Sequence, residues 1–143
     1  MKDEKGFWWA RREVKKGKER PDNYLYISTD PISEAQMGYE PIEQSGYYEA
    51  FDDAMIANHG HTFDPGTYEL IGPKINGNPE KTERHDLHMH KLAETVNMQG
   101  MVRDFETIKK LVIHLGDVRG WEGLVFHHPD GRMAKIKRRD FPA

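Results

Sequence analysis

The sequence predicts an α+β fold, a twisted antiparallel sheet with helices packed on it. Two observations carry this reading. Short stretches such as Thr67–Ile71, and Leu124–Phe126 followed by Met133 and Ile136, alternate apolar and polar residues as strands do. Two others, Tyr47–Asn58 and Phe105–Leu115, repeat apolar residues at three- and four-residue steps, the period of a helix with one buried face.

In chain order, Phe7–Val14 is a candidate strand whose Trp8 and Trp9 suit sheet packing better than base stacking. From Glu19 to Tyr48 the chain reads as loop and short turns, because Pro21, Pro31 and Pro41 oppose long regular elements. Ala50, Phe51, Ala54 and Met55 then share one face of a short helix. The Thr67–Ile71 strand empties into Gly72–Pro79, a glycine- and proline-punctuated loop of the kind that lines sites. Phe105, Ile108, Leu111, Val112 and Leu115 form the stripe of a second helix, with Asp104 as its cap and Gly116 as its expected end.

The chain closes on a predicted hairpin. Leu124-Val-Phe126 and the Met133–Ile136 segment flank Pro129-Asp-Gly131, in which proline sets φ for a turn and Gly131 suits a left-handed position. Period-two alternation puts Lys135 and Lys137 on one face of their strand and Ile136 on the other. Glu122 stands before Gly123, where a carboxylate can meet a divalent ion and a bare backbone allows close approach.

Composition narrows the classes. A chain of 143 residues suits one domain, 1–143, with a real core. Mean hydropathy of -0.86 with 31% charged residues opposes a membrane span. No cysteine is present, which removes disulfides, thiolate chemistry and cysteine-ligated zinc, and makes a cytoplasmic location the default expectation. The net charge of -3 conceals two basic clusters, Arg11, Arg12, Lys15, Lys16, Lys18 and Arg20, and Arg132, Lys135, Lys137, Arg138 and Arg139. Between them lie Glu34, Glu40, Glu43, Glu49, Asp52 and Asp53, expected to face water. Eight histidines invite a metal reading, but none has the spacing of a zinc helix, and His85, His88 and His90 on a strand-like stretch would point to both faces.

Several stretches together resemble the ATP-dependent RNA ligases of the covalent nucleotidyltransferase superfamily, in the branch of the eukaryotic 5′-to-3′ RNA ligase and its phage and bacterial relatives. They are Trp9-Ala-Arg11, Gly38-Tyr-Glu-Pro41, Tyr68-Glu-Leu-Ile-Gly-Pro-Lys-Ile-Asn-Gly-Asn-Pro79, His85-Asp-Leu-His88, Glu122-Gly-Leu-Val-Phe126 and Lys135-Ile-Lys137, in that family's order. The resemblance implies ATP and Mg²⁺ (or Mn²⁺) as cofactors, RNA as partner, and joining of a 5′-phosphate to a 3′-hydroxyl through lysyl-AMP and RNA-adenylate, as in RNA repair. It implies that Glu69 meets the nucleotide ribose or a metal, that Glu122 holds the divalent ion, and that Lys135 and Lys137 contact phosphates. Arg11 resembles an arginine that follows the nucleophile motif. These side chains are expected around one adenylate.

The family's nucleophile is the lysine of Lys-x-Asp-Gly, a motif this chain does not contain. Lys74-Ile-Asn-Gly77 has only a superficial likeness to it, because the resemblance already places that stretch in a later element. The expectation is therefore an N-terminally incomplete adenylylation domain. A companion polypeptide carrying the lysine, a start codon placed too late, and a gene remnant all remain open. Two other classes stay beside it: a non-catalytic nucleotide- or RNA-binding module, and one half of a split ligase.

Overall fold

The computed structural model describes residues 1–90, 93–130 and 132–142. Its strands are β1 (Trp9–Val14), β2 (Leu25–Thr29), β3 (Gln36–Pro41), β4 (Tyr68–Ile71), β5 (Asp86–Met89), β6 (Gly123–His127) and β7 (Met133–Lys137), and its α-helices are α1 (Tyr48–Ala57) and α2 (Phe105–Arg119). The fold is a small α+β fold with several antiparallel sheets. Instead of one expected sheet, the described strands form three ladders, β1-β3-β2, β4-β5 and β6-β7. The backbone clusters into two compact units, Met1–Thr95 and Val96–Ala143.

In the first unit, Ala10, Ile42 and Phe51 form the buried centre, with Trp8, Met55, Leu70 and Leu87 packed on it. Trp8 is a core aromatic, its ring 5.1 Å from Phe51, 5.6 Å from Phe63 and 5.2 Å from Tyr68 between centroids. The helical period of residues 47–58 is realised: Ala50, Phe51 and Ala54 are the buried side of α1. The loop expected over Glu19–Tyr48 is corrected. Two strands lie there because the prolines sit between or at the ends of the apolar runs, Pro41 being the last residue of β3, where a missing N–H costs little. Gly38 of β3 is required by packing. A Cβ there would meet the Tyr24 ring at 2.7 Å, and the Tyr24 hydroxyl donates to the Arg12 carbonyl at 2.8 Å.

In the second unit α2 buries Val112 and Leu115 against Leu124, with Ile136, Phe126, Trp121 and Phe141 around them. Asp104 caps the helix, accepting from the Thr107 N–H at 2.7 Å. The expected end at Gly116 is corrected: the helix continues to Arg119 and stops at Gly120, whose left-handed φ of 68° suits glycine. Gly116 lies inside because the Arg138 side chain packs where a Cβ would stand, with its Cβ 2.9 Å away. The predicted hairpin forms as β6-β7, with Leu124 opposite Ile136 and Val125 opposite Lys135. Pro129 and Asp130 are in the turn, and the reading of Gly131 lies outside the described residues. Among the described residues no helix is long and apolar enough to cross a membrane.

Candidate phosphate-handling site

The hairpin explains why three charged side chains meet. Leu124 and Ile136, directly opposite each other, turn toward α2. Their neighbours Lys135 and Lys137 therefore project from the other face. Glu122 enters that face from just before β6. The Lys137 Nζ donates to its Oε1 at 2.6 Å, and the Lys135 Nζ stands 4.0 Å from the same oxygen. The hydrogen bond from Lys137 holds the Glu122 carboxyl below the usual carboxylate range; partial burial opposes this, and the charges of Lys135, Lys137 and Arg139 add to it.

Lys137 is held from both ends. Its own N–H donates to Asp140 Oδ2 at 2.8 Å, and the Arg138 N–H that follows donates to the Glu122 carbonyl at 2.8 Å. The Lys137 side chain is only 22% exposed, against 50% for Lys135. Gly123 departs from expectation. The space beside it is taken by the partner strand, since a Cβ would fall 2.7 Å from the Lys137 Cα and 3.0 Å from the Ile136 carbonyl carbon. The glycine there permits close strand pairing, and no opening for a ligand lies at that point.

Chemically, two ammonium groups flanking one carboxylate make a small site of net positive charge. Such a set attracts anionic oxygens, those of a phosphate among them. Its suitability for a resident divalent ion is poorer. Glu122 contributes one carboxylate already hydrogen-bonded to Lys137, and among the described residues no three His, Asp, Glu or Cys side chains gather to hold a metal. A hard ion needs about six oxygens. Here most would come from the phosphates and water that accompany it.

Glu69 and Arg11 belong to the first unit. Glu69 is exposed on β4, directly opposite His88 of β5, and lines a cleft of about 370 Å³ with His88, His90, Leu87 and Met89. Sequence reasoning placed Glu69 correctly on a strand but missed its imidazole neighbours, because only the register of β4 against β5 brings them together. His85 is a structural residue. Its ring is buried, with Nδ1 3.3 Å from Asp53 Oδ2, and Nε2 accepts the Lys74 N–H at 3.2 Å, tying the Gly72–Pro79 loop to α1. Arg11 lies on β1 beside Arg12 and lines a second cleft. Compared with known proteins, the chain matches no family model and no curated protein.

Proposed function

We propose that the chain is an RNA ligase-like nucleotidyltransferase that handles ATP phosphates with Lys135, Lys137 and Glu122. The observation that carries this is the hairpin face, on which two ammonium groups meet one carboxylate within 4.0 Å. In this reading Lys135 and Lys137 bind the phosphates and stabilise negative charge as the bond from the α-phosphorus to pyrophosphate breaks. Glu122 orients Lys137 and would be the one carboxylate at hand for a magnesium ion arriving with the nucleotide, which would supply Lewis-acid polarisation of the phosphate oxygens. Glu69 and Arg11 take the ribose and phosphate contacts that the resemblance implies. The attacking amine, which forms the new phosphorus–nitrogen bond, comes from a Lys-x-Asp-Gly segment that this sequence lacks. RNA with a 5′-phosphate and a 3′-hydroxyl is the proposed substrate.

The test is incubation with α-labelled ATP and magnesium. The chain alone should bind ATP and retain no label after denaturation. A fragment bearing Lys-x-Asp-Gly, added to it, should acquire the label. Replacing both lysines in Lys135→Ala/Lys137→Ala should weaken ATP binding at least about tenfold, the effect of losing one charge-assisted contact. An ATP affinity unchanged in that double variant removes the reading. The missing motif also favours a second reading, a binding module without catalysis; ATP binding with no labelled product in any mixture selects it.

A further inference from the structure

The loop between β4 and β5 contains a stretch that the proposed function does not use, Lys74-Ile-Asn-Gly77. Its last two residues are the centre of a tight turn. Asn76 has a φ of 48° and Gly77 one of 77°, and the Asn78 N–H donates to the Ile75 carbonyl at 2.7 Å, the pattern of a turn whose central residues are both left-handed. Asparagine followed by glycine is the pair that suits this conformation best. The turn is anchored just before that pair: Ile75 is buried, and the Lys74 N–H donates to His85 Nε2.

The same pair is chemically reactive. A backbone nitrogen can attack the side-chain amide carbon of the asparagine before it and close a five-membered imide, and a glycine has no Cβ to obstruct the approach. Here the reacting groups are open. Asn76 and Gly77 are exposed, a Cβ on Gly77 would meet nothing within 4 Å, and among the described residues neither the Asn76 side chain nor the Gly77 N–H is engaged in a hydrogen bond. The other asparagines are each hindered. The Asn58 amide donates to the Ala54 carbonyl and to Asp86, the Asn78 side chain is bonded twice to the Thr82 backbone, and Asn97 accepts from the Gln99 N–H. Asn23 is followed by the bulky Tyr24, and Asn78 by Pro79, which has no N–H to lose.

We propose that Asn76 is a site of spontaneous deamidation, which loosens the Gly72–Pro79 loop with time. The Gly77 nitrogen forms a bond to Asn76 Cγ, the bond from Cγ to Nδ2 breaks, and ammonia leaves with the proton that the Gly77 nitrogen gives up. Water then opens the imide at one of its two carbonyls. Opening at the side-chain carbonyl gives aspartate. Opening at the more electrophilic main-chain carbonyl gives isoaspartate, in which the side-chain carbons have become backbone. The isoaspartyl form inserts a methylene between Ile75 and Asn78, so the hydrogen bond between them no longer closes the turn. Ile75 and the Lys74–His85 contact then lose the geometry that seats the loop. This inference is independent of the function proposed above.

The experiment is incubation of the full chain in mildly alkaline buffer, beside a synthetic Ile75–Lys81 peptide, with tryptic mass mapping at intervals. The Ile75–Lys81 fragment of the chain should gain the mass of an amide-to-acid exchange, located at Asn76 by fragmentation, and an isoaspartyl methyltransferase should label it. Conversion at Asn76 should be at least about tenfold faster than at any other asparagine. It should accelerate with pH, because the attacking nitrogen must lose its proton, and Asn76→Gln should stop it. In hydrogen exchange, the Lys74 amide of the converted chain should exchange at least about tenfold faster than in the parent. The proposal is overturned if the peptide converts while Asn76 of the intact chain does not, if another asparagine converts as fast, or if the converted chain protects the Lys74 amide as well as the parent does.

Discussion

Replacing Gly123 by alanine is a severe change at a position where alanine is the smallest possible side chain. The added Cβ would stand 2.7 Å from the Lys137 Cα, where ordinary contact begins at 3.4 Å. The Ile136 carbonyl oxygen is nearer still, so the strands must part by at least about 0.7 Å at that point, which lengthens a hydrogen bond of about 2.9 Å to at least about 3.6 Å, beyond useful reach. One or two lost ladder bonds at about 1 kcal/mol each, plus overpacking of about 1–3 kcal/mol, give a destabilisation of about 2–5 kcal/mol. For a chain of this size that corresponds to a fall in Tm of about 6–15 °C. Circular-dichroism melting of Gly123→Ala measures it, and NMR titration of Glu122 reports whether the Lys137 contact survives. A variant that melts within about 2 °C of the parent, with Glu122 still titrating below the ordinary carboxylate range, would show that the close approach of β6 and β7 is not what requires glycine.

Other perturbations have equally definite outcomes. Val112→Ala removes two methyl groups from a side chain 1% exposed at the centre of the second unit, and should cost about 1.5–3 kcal/mol in urea denaturation. Gly72→Ala places a Cβ 2.8 Å from the His85 Cα at a φ of +145°, so crowding and backbone strain together should lower stability by at least about 2 kcal/mol. Asp104→Ala should lower the urea midpoint and Asp104→Ser should restore most of it, because the cap on the Thr107 N–H is lost in one and kept in the other. The folded-state pKa of Glu122 is depressed, so its pairing contributes fully above the ordinary value of 4.5 and disappears as pH falls through the lowered value. With the side chain 58% exposed this contribution is no more than about 0.5 kcal/mol; Glu122→Gln should lower stability by up to that amount at neutral pH and leave it unchanged below the lowered pKa, so that the acid limb of the stability profile flattens.

The parts of the fold legible in the sequence are those that one local rule determines. Alternation placed Lys135 and Lys137 together and sent Ile136 to the opposite face, as β7 has them. The helical stripe of α1 and the Asp104 cap of α2 are equally local. The failures occurred where a residue has two uses. Proline interrupts a strand's interior but is compatible with its end, so Pro31 lies in the turn between β2 and β3 and Pro41 ends β3, and neither excludes the strands. Glycine ends a helix only where the backbone turns left-handed; Gly120 does so, and Gly116 instead leaves room for the Arg138 side chain. For the site, sequence named Glu122 and its lysines, since all three follow from one hairpin. It did not reveal that Glu40, expected to face water, is buried, or that Glu69 pairs with His88, because those depend on strand register and on which chain segments cover a face.

The arrangement of the three-stranded ladder has a kinetic consequence. β3 is bonded to β1 on one side and β2 on the other, while β2 is wholly exposed. Amide protons of β3 can reach solvent only after a neighbour has detached, so in deuterium oxide they should outlast those that β2 directs outward. A mass-spectrometric exchange series would then read the order of detachment directly, with the Leu25–Thr29 segment loosening first and the middle strand last.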